Sequence, residues 1–150
     1  MCVMPWVNLH VATSGAISPC CEFDGSIGNC DRQTLGDAWR GEALARIRAA
    51  FLAGQKLPAC RKCIDREPGE GTSLRLQSNA RFAQHFARIG KAPPDAFPAA
   101  LDLRFSNLCN FKCRSCWHGA SSKWFSDAKA LGKARGEKAE ISSFDSVENF

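Results

Sequence analysis

Leu101-Asp102-Leu103-Arg104-Phe105-Ser106-Asn107-Leu108-Cys109-Asn110-Phe111-Lys112-Cys113-Arg114-Ser115-Cys116 is the stretch on which the fold turns. Leu101, Leu103 and Phe105 alternate with Asp102, Arg104 and Ser106, the two-residue period of a strand. The strand runs into a loop carrying Cys109, Cys113 and Cys116, and a helix with Trp124, Ala128 and Leu131 is predicted after it. Two residues between Cys113 and Cys116 let one turn aim both sulfurs at one centre. Thiolates are soft ligands, so the loop suits zinc or an iron–sulfur cluster rather than an oxygen-seeking ion. Three thiolates on a four-iron cluster leave the fourth iron open to a small molecule.

Working outward, the chain has 150 residues, a formal charge of +5, 45% hydrophobic residues and nine cysteines. That content is ordinary for a folded chain and argues against wholesale disorder. The mild, dispersed basic charge permits an acidic partner without demanding one, and no interleaved aromatic and basic stripe points to nucleic acid. No apolar run is long enough for a membrane helix. The N-terminus lacks a basic segment followed by an apolar core, so no secretory signal is predicted and the expected compartment is the reducing cytoplasm. There, an odd set of cysteines with CxxC spacing at Cys60/Cys63 and Cys113/Cys116 reads as metal ligands rather than a disulfide framework.

The N-terminal part is predicted to begin as a hairpin. Val7, Leu9 and Val11 alternate as a half-buried strand, Thr13-Ser14-Gly15 turns, and a second short strand from Ala16 to Cys21 is limited by Pro19. Asp24-Gly25 and Gly28-Asn29 mark a loop. Thr34 with Asp37 three residues on is a capping-box variant, opening a helix from Leu35 to Ala53 that Gly41 interrupts. Leu44, Ile47 and Phe51 form its apolar face, and Gly54 sits where a closing glycine belongs. Pro58 to Cys63 reads as a ligand turn. A second helix, Ser73 to Ile89, carries Leu74, Phe82, Phe86 and Ile89 on one face, with Arg75, Arg81 and Arg88 on a solvated one. Pro93, Pro94 and Pro98 make a stiff connector. Residues 132–136 are predicted to be loose, and Ser143 to cap a last helix with Val147 and Phe150. The division expected is 1–67, a cysteine-rich module; 68–98, helix and connector; and 99–150, the start of a second unit.

In context as well as spacing, Leu103 to Cys116 resembles the cluster loop of radical SAM enzymes, in which a C-x3-C-x2-C loop follows the first strand of a partial (β/α) barrel. Ser115 stands where many members carry an aromatic residue. The resemblance implies that Cys109, Cys113 and Cys116 bind a [4Fe–4S] cluster whose open iron chelates S-adenosylmethionine. Reductive cleavage then yields a 5′-deoxyadenosyl radical that abstracts hydrogen from a substrate. The N-terminal pattern resembles the twitch and SPASM auxiliary-cluster modules. It comprises Cys2, Pro5-Trp6, Gly15-x4-Cys20-Cys21, Gly28-Asn29, Leu35 to Trp39 and Cys60-x-x-Cys63. That resemblance implies a hairpin-plus-helix module holding an auxiliary [4Fe–4S] cluster through Cys2, Cys20, Cys60 and Cys63. Cys20 is preferred to Cys21 because it completes the G-x4-C spacing. Alternating strand side chains also make it improbable that both reach one iron.

The fold class expected is therefore α/β, with an α+β N-terminal module followed by the first βα unit of an incomplete barrel. Since Phe150 falls about where the second barrel strand would begin, the chain reads as the first part of a longer enzyme, inactive alone. The implied partners are S-adenosylmethionine, a peptide or protein substrate, and an electron donor such as a flavodoxin or ferredoxin, with no membrane or nucleic acid. The competing reading is a zinc-binding interaction or nucleic-acid-binding module without catalysis, since four thiolates suit zinc equally well. Cys30 reads as a small buried side chain, Cys21 as the same or a substitute ligand, and Trp6 and Phe23 as core around the cluster. Trp39 is expected to pack its helix on the hairpin, and His10 and His118 are ordinary polar residues. Lys112 and Arg114 are either solvated or placed to offset a thiolate cluster.

Overall fold

The computed structural model describes residues 1–69, 71–90, 97–132 and 141. Its centre is a four-stranded mixed sheet in the order β3-β2-β1-β4, flanked by short helices, so the α+β character of the module is as expected. A single helical turn, α1 (Met4–Val7), leads into β1 (Asn8–Val11). The turn to β2 (Ala16–Ser18) pivots on Gly15, whose φ of +76° suits glycine. A Cβ there would also meet Asn29 Oδ1 at 2.9 Å.

β2 stops before Pro19, which has no N–H to give a ladder. Gly28–Asn29 is not a plain loop as predicted but a short strand, β3, antiparallel to β2. Only long-range pairing creates it, since two residues carry no periodicity. β4 (Ala100–Leu103) runs parallel to β1 in the register Asn8↔Ala100 to Val11↔Leu103. The Arg104 N–H continues that ladder to the Val11 carbonyl at 3.0 Å. Parallel neighbours need a long crossover, and the intervening helices supply it.

The predicted helix over 35–53 is two helices. In α2 (Leu35–Arg40) the Thr34 hydroxyl accepts from the Asp37 N–H while the Asp37 carboxylate accepts from the Thr34 N–H, the reciprocal box anticipated. Gly41 then turns extended (ψ 156°) and serves as the N-cap of α3 (Glu42–Leu52). A Cβ at Gly41 would stand 2.8 Å from the Asp37 carbonyl, so the break needs glycine. A 3₁₀ turn over Pro58–Cys60 feeds α4 (Arg61–Arg66). The helix predicted over 73–89 is α5 (Leu74–Arg81), capped by the Ser73 hydroxyl, followed by 3₁₀ turns over Ala83–Arg88. Beyond β4, a 3₁₀ turn at Ser122–Trp124 leads into α6 (Phe125–Ala130). The prolines at 93 and 94, most of the loose 132–136 stretch and the Ser143-capped helix lie outside the described residues.

Two apolar clusters hold the elements. Leu9, Val11, Ile17, Ile27, Leu35, Trp39 and Leu44 form one, between the sheet and α2–α3. Val3, Met4, Val7 and Phe51 form the other, against which Phe82, Phe86 and Ile89 pack. Ile47 of α3 touches both, so this helix joins them. β1 is buried along its whole length, not half-buried as its alternation predicts. Its polar residues are covered because each has a partner. Asn8 Nδ2 donates to the Pro19 carbonyl at 2.9 Å, and His10 Nδ1 lies 3.0 Å from Asp102 Oδ2 across the parallel pair.

Candidate metal centre

Four thiols come together from three separate parts of the N-terminal module. Cys2 arrives just ahead of α1, Cys20 just past β2, Cys60 at the N-cap of α4 and Cys63 inside α4. All four line one cavity of about 440 Å³, with Phe23 and Phe51 on its wall. Two loops meet to build it. The Asp24 N–H donates to the Ala59 carbonyl at 2.9 Å, setting the Cys20 turn beside the Cys60 turn. Glu22 adds ion pairs to Lys62 and Arg66 of α4 at 3.9 and 3.5 Å. Cys21 does not line the cavity, and it is exposed rather than buried as expected, because it follows Pro19 and Cys20 out of β2 onto a surface turn; its charged neighbours are Asp102, Arg104 and Glu22. Cys30 is fully buried in the sheet cluster, as a small apolar side chain. All nine cysteines are free thiols.

Burial dominates the chemistry of these thiols. It pushes Cys20 from an ordinary 9.0 up to about 12 and Cys60 up to about 11, and it raises Cys2 as well. Each of the three is also raised by like charge on cavity partners: Cys2 and Cys60 act on Cys20, Cys2 and Cys63 on Cys60, and Cys63 on Cys2. Such a set is protonated at neutral pH when nothing is bound. A positively charged metal group among the sulfurs reverses both effects and is bound with release of protons. The donor set and the space therefore fit a thiolate-ligated cluster.

The far wall holds residues that the sequence alone misplaces. Arg75 was expected on a solvated helix face. It instead lines the cavity together with Glu67, which it grips through two contacts, one of them Nε to Oε1 at 2.8 Å. The Ser73 hydroxyl donates to the same carboxylate at 2.6 Å. The hydrogen bonds from Arg75 and Ser73 hold the Glu67 carboxyl down to about 2. The periodicity of α5 gave no signal of this, because the arginine's partner sits outside the helix. Arg81, by contrast, lies over the Phe82 ring at 5.3 Å; the Arg88 side chain is outside the described set. Trp6 packs at 6.4 Å from Phe51 in the second cluster, and Trp39 packs α2 on the sheet with Arg48 4.4 Å above its ring.

The loop with Cys109, Cys113 and Cys116 leaves β4 and is tied down by residues just before α6. Ser122 is the knot: its hydroxyl accepts from the Cys109 N–H and donates to the Cys109 carbonyl, each at 3.2 Å, while its own N–H donates to Asn107 O at 2.8 Å. The Ser121 hydroxyl donates to the Phe111 carbonyl and Trp124 Nε1 to the Cys113 carbonyl. Lys112 pairs with Asp127 and lies 5.0 Å from the Trp124 ring, so this cation is engaged with α6 rather than freely solvated. Cys113 is exposed and Cys109 and Cys116 are partly so. Leu108, Phe111 and Trp117 stand exposed beside them. This second set of thiols therefore faces outward, whereas the first faces a cavity. Among the described residues no three His, Cys, Asp or Glu side chains converge on a point as a single ion requires.

Residues 2–64 match the family model for SPASM, an iron–sulfur cluster-binding domain. No curated protein and no solved structure matches the chain. The match takes in all four cavity cysteines and stops short of Glu67, Arg75 and the 109–116 loop. The N-terminal residues form a SPASM-like module, a kind of module that binds iron–sulfur clusters. Among the described residues no helix is long and apolar enough to cross a membrane.

Proposed function

We propose that this chain is the cluster-binding part of a radical SAM enzyme, working in a reducing cytoplasm. Cys2, Cys20, Cys60 and Cys63 hold an auxiliary [4Fe–4S] cluster. Cys109, Cys113 and Cys116 hold a second [4Fe–4S] cluster that binds S-adenosylmethionine. The observation that carries the reading is the meeting of four thiols on one cavity within the residues that match the SPASM family. The match of these residues to an iron–sulfur cluster-binding domain supports a cluster over a single zinc ion, which four thiolates would suit equally well.

When bound, the SAM-ligating cluster supplies the electron that cleaves a carbon–sulfur bond of S-adenosylmethionine, with the electron drawn from a flavodoxin or ferredoxin. The residues of this chain position and shield. Ser122, Ser121 and Trp124 fix the backbone of the 109–116 loop. The outward-facing thiols leave a metal held there open to a small molecule. Phe23 and Phe51 limit water at the auxiliary site. The exposed apolar side chains Leu108, Phe111 and Trp117 suit a cover of further protein or a peptide substrate.

Anaerobic reconstitution with iron and sulfide tests the reading. The unaltered chain is expected to take up about eight irons and show broad absorption near 400 nm. Changing Cys109, Cys113 and Cys116 together to Ala is expected to leave about four. Bound zinc without iron uptake refutes the proposal, and iron unaffected by the triple change refutes its second half.

A further inference from the structure

Cys2 lies ahead of α1 in no helix or strand, so no ladder or helical hydrogen bonds hold its backbone in place. Here it is tied on both sides. The Val3 N–H donates to Asn79 Oδ1 at 2.9 Å, and Asn79 Nδ2 donates to the Met1 carbonyl at 3.1 Å. The carboxamide thus pairs with the two peptide groups that flank Cys2, one donor and one acceptor, as a neighbouring strand would. A guanidinium NH1 of Arg75 donates to the same Met1 carbonyl at 3.1 Å. Arg75 and Asn79 are four residues apart on α5 and so share a face. Arg75 is itself held by Glu67, just past α4 and its Cys63. The clamp therefore reaches from the helix carrying one cavity thiol to the backbone carrying another.

None of Glu67, Arg75 or Asn79 falls within the matched residues 2–64. We propose that Arg75 and Asn79 are positioning residues for Cys2: by fixing the peptide groups on either side of it they hold its thiol on the cavity and complete the four-thiol set. This rests on the reading of Cys2 as a cluster ligand. It adds that the SPASM-like module needs α5, outside the match, to present that ligand.

The test is anaerobic alkylation of the metal-free chain with iodoacetamide, following Cys2 and Cys30 separately by peptide mass spectrometry. Intact mass establishes that Met1 is retained. Both residues are buried, Cys2 against the cavity and Cys30 in the other apolar cluster, so loosening of either region speeds the labelling of its own thiol. Asn79→Ala is expected to speed Cys2 labelling about tenfold with Cys30 unchanged, as the loss of its hydrogen bonds implies. The reconstituted variant is then expected to lose iron to a chelator about tenfold faster than the parent. Gln77→Ala, on the exposed side of α5, should change neither rate. Should Asn79→Ala not fold, Asn79→Asp keeps the acceptor for Val3 but sets a charged oxygen against the Met1 carbonyl in place of the donor, and an acceleration confined to Cys2 is expected. Unchanged Cys2 labelling, or equal acceleration at Cys2 and Cys30, overturns the proposal. Failure of the parent chain to bind iron refutes the cluster reading, and the ratio of the two labelling rates still decides the clamp.

Discussion

Raising the pH of the metal-free chain should weaken its fold through its cavity thiols. Cys20 ionises near 9.0 when free and near 12 in the fold. Between those values the unfolded chain has lost this proton and the folded chain has kept it. A thiol whose folded value is raised costs nothing below pH 9 and weakens the fold progressively above it. Each pH unit in that window is worth about 1.4 kcal/mol for a fully buried group. From pH 8 to pH 10 Cys20 therefore costs about 1 kcal/mol. Cys60, raised less, to about 11, and partly exposed, contributes about half of that after screening, and Cys2 acts in the same direction. Cys20 and Cys60 together come to about 1.5 kcal/mol, or a melting temperature lower by about 3–6 °C in a chain of this size. The assay is anaerobic thermal melting at pH 8, 9 and 10 for the parent and for Cys20→Ser, which removes the largest contribution and leaves lysine titration untouched. The parent should fall further than the variant by about 1 kcal/mol, or about 2–4 °C. Identical pH profiles would mean that Cys20 is not desolvated at the cavity, and the argument for a proton-coupled metal site would go with it. After loading with iron and sulfide the thiols are already deprotonated, so the excess alkaline loss should vanish.

Other outcomes follow from single contacts. Leu44→Ala empties a fully buried position between α3 and the sheet and should cost about 2–5 kcal/mol in urea unfolding. Gly15→Ala must hold a φ of +76° against Asn29 and should lose about 1–2 kcal/mol by the same assay. Burial is the main cause that lowers the proton affinity of His10, and Asp102 only partly opposes it. The fold should therefore be fully supported above about pH 6.5 and weaken as the pH falls below it, less so in His10→Gln, by fluorescence-monitored melting. Ser122→Ala removes both hydroxyl bonds to Cys109 and should speed amide exchange at Cys109 about fivefold or more while leaving β1 protected.

What could be read directly from the chain were features settled within a few residues. The Thr34–Asp37 box, the break at Gly41, the turn at Gly15 and the end of β2 at Pro19 each depend on contacts between near neighbours, and each is found where its residues place it. The SPASM-like pattern was legible for the same reason: its cysteines sit at short, regular intervals from glycines and prolines. Where the elements go was not legible. β4 lies parallel on β1, Gly28–Asn29 becomes a strand, and β1 is covered on both faces. These outcomes depend on pairings between residues far apart in the chain, whose free energy no local pattern encodes.

The candidate site divides along the same line. The residue types and the two CxxC spacings were determined by the sequence alone. Which thiols meet was decided by the tertiary structure, when the Cys20 turn docked on the Cys60 turn and α5 docked on the N-terminus. Arg75 shows why most plainly. On a helix in isolation a charged residue belongs in water, and periodicity assigns it there. In the fold Glu67 and the Met1 carbonyl wait beside the cavity, and a guanidinium with five donors is held where its partners are, whatever face the pattern had given it.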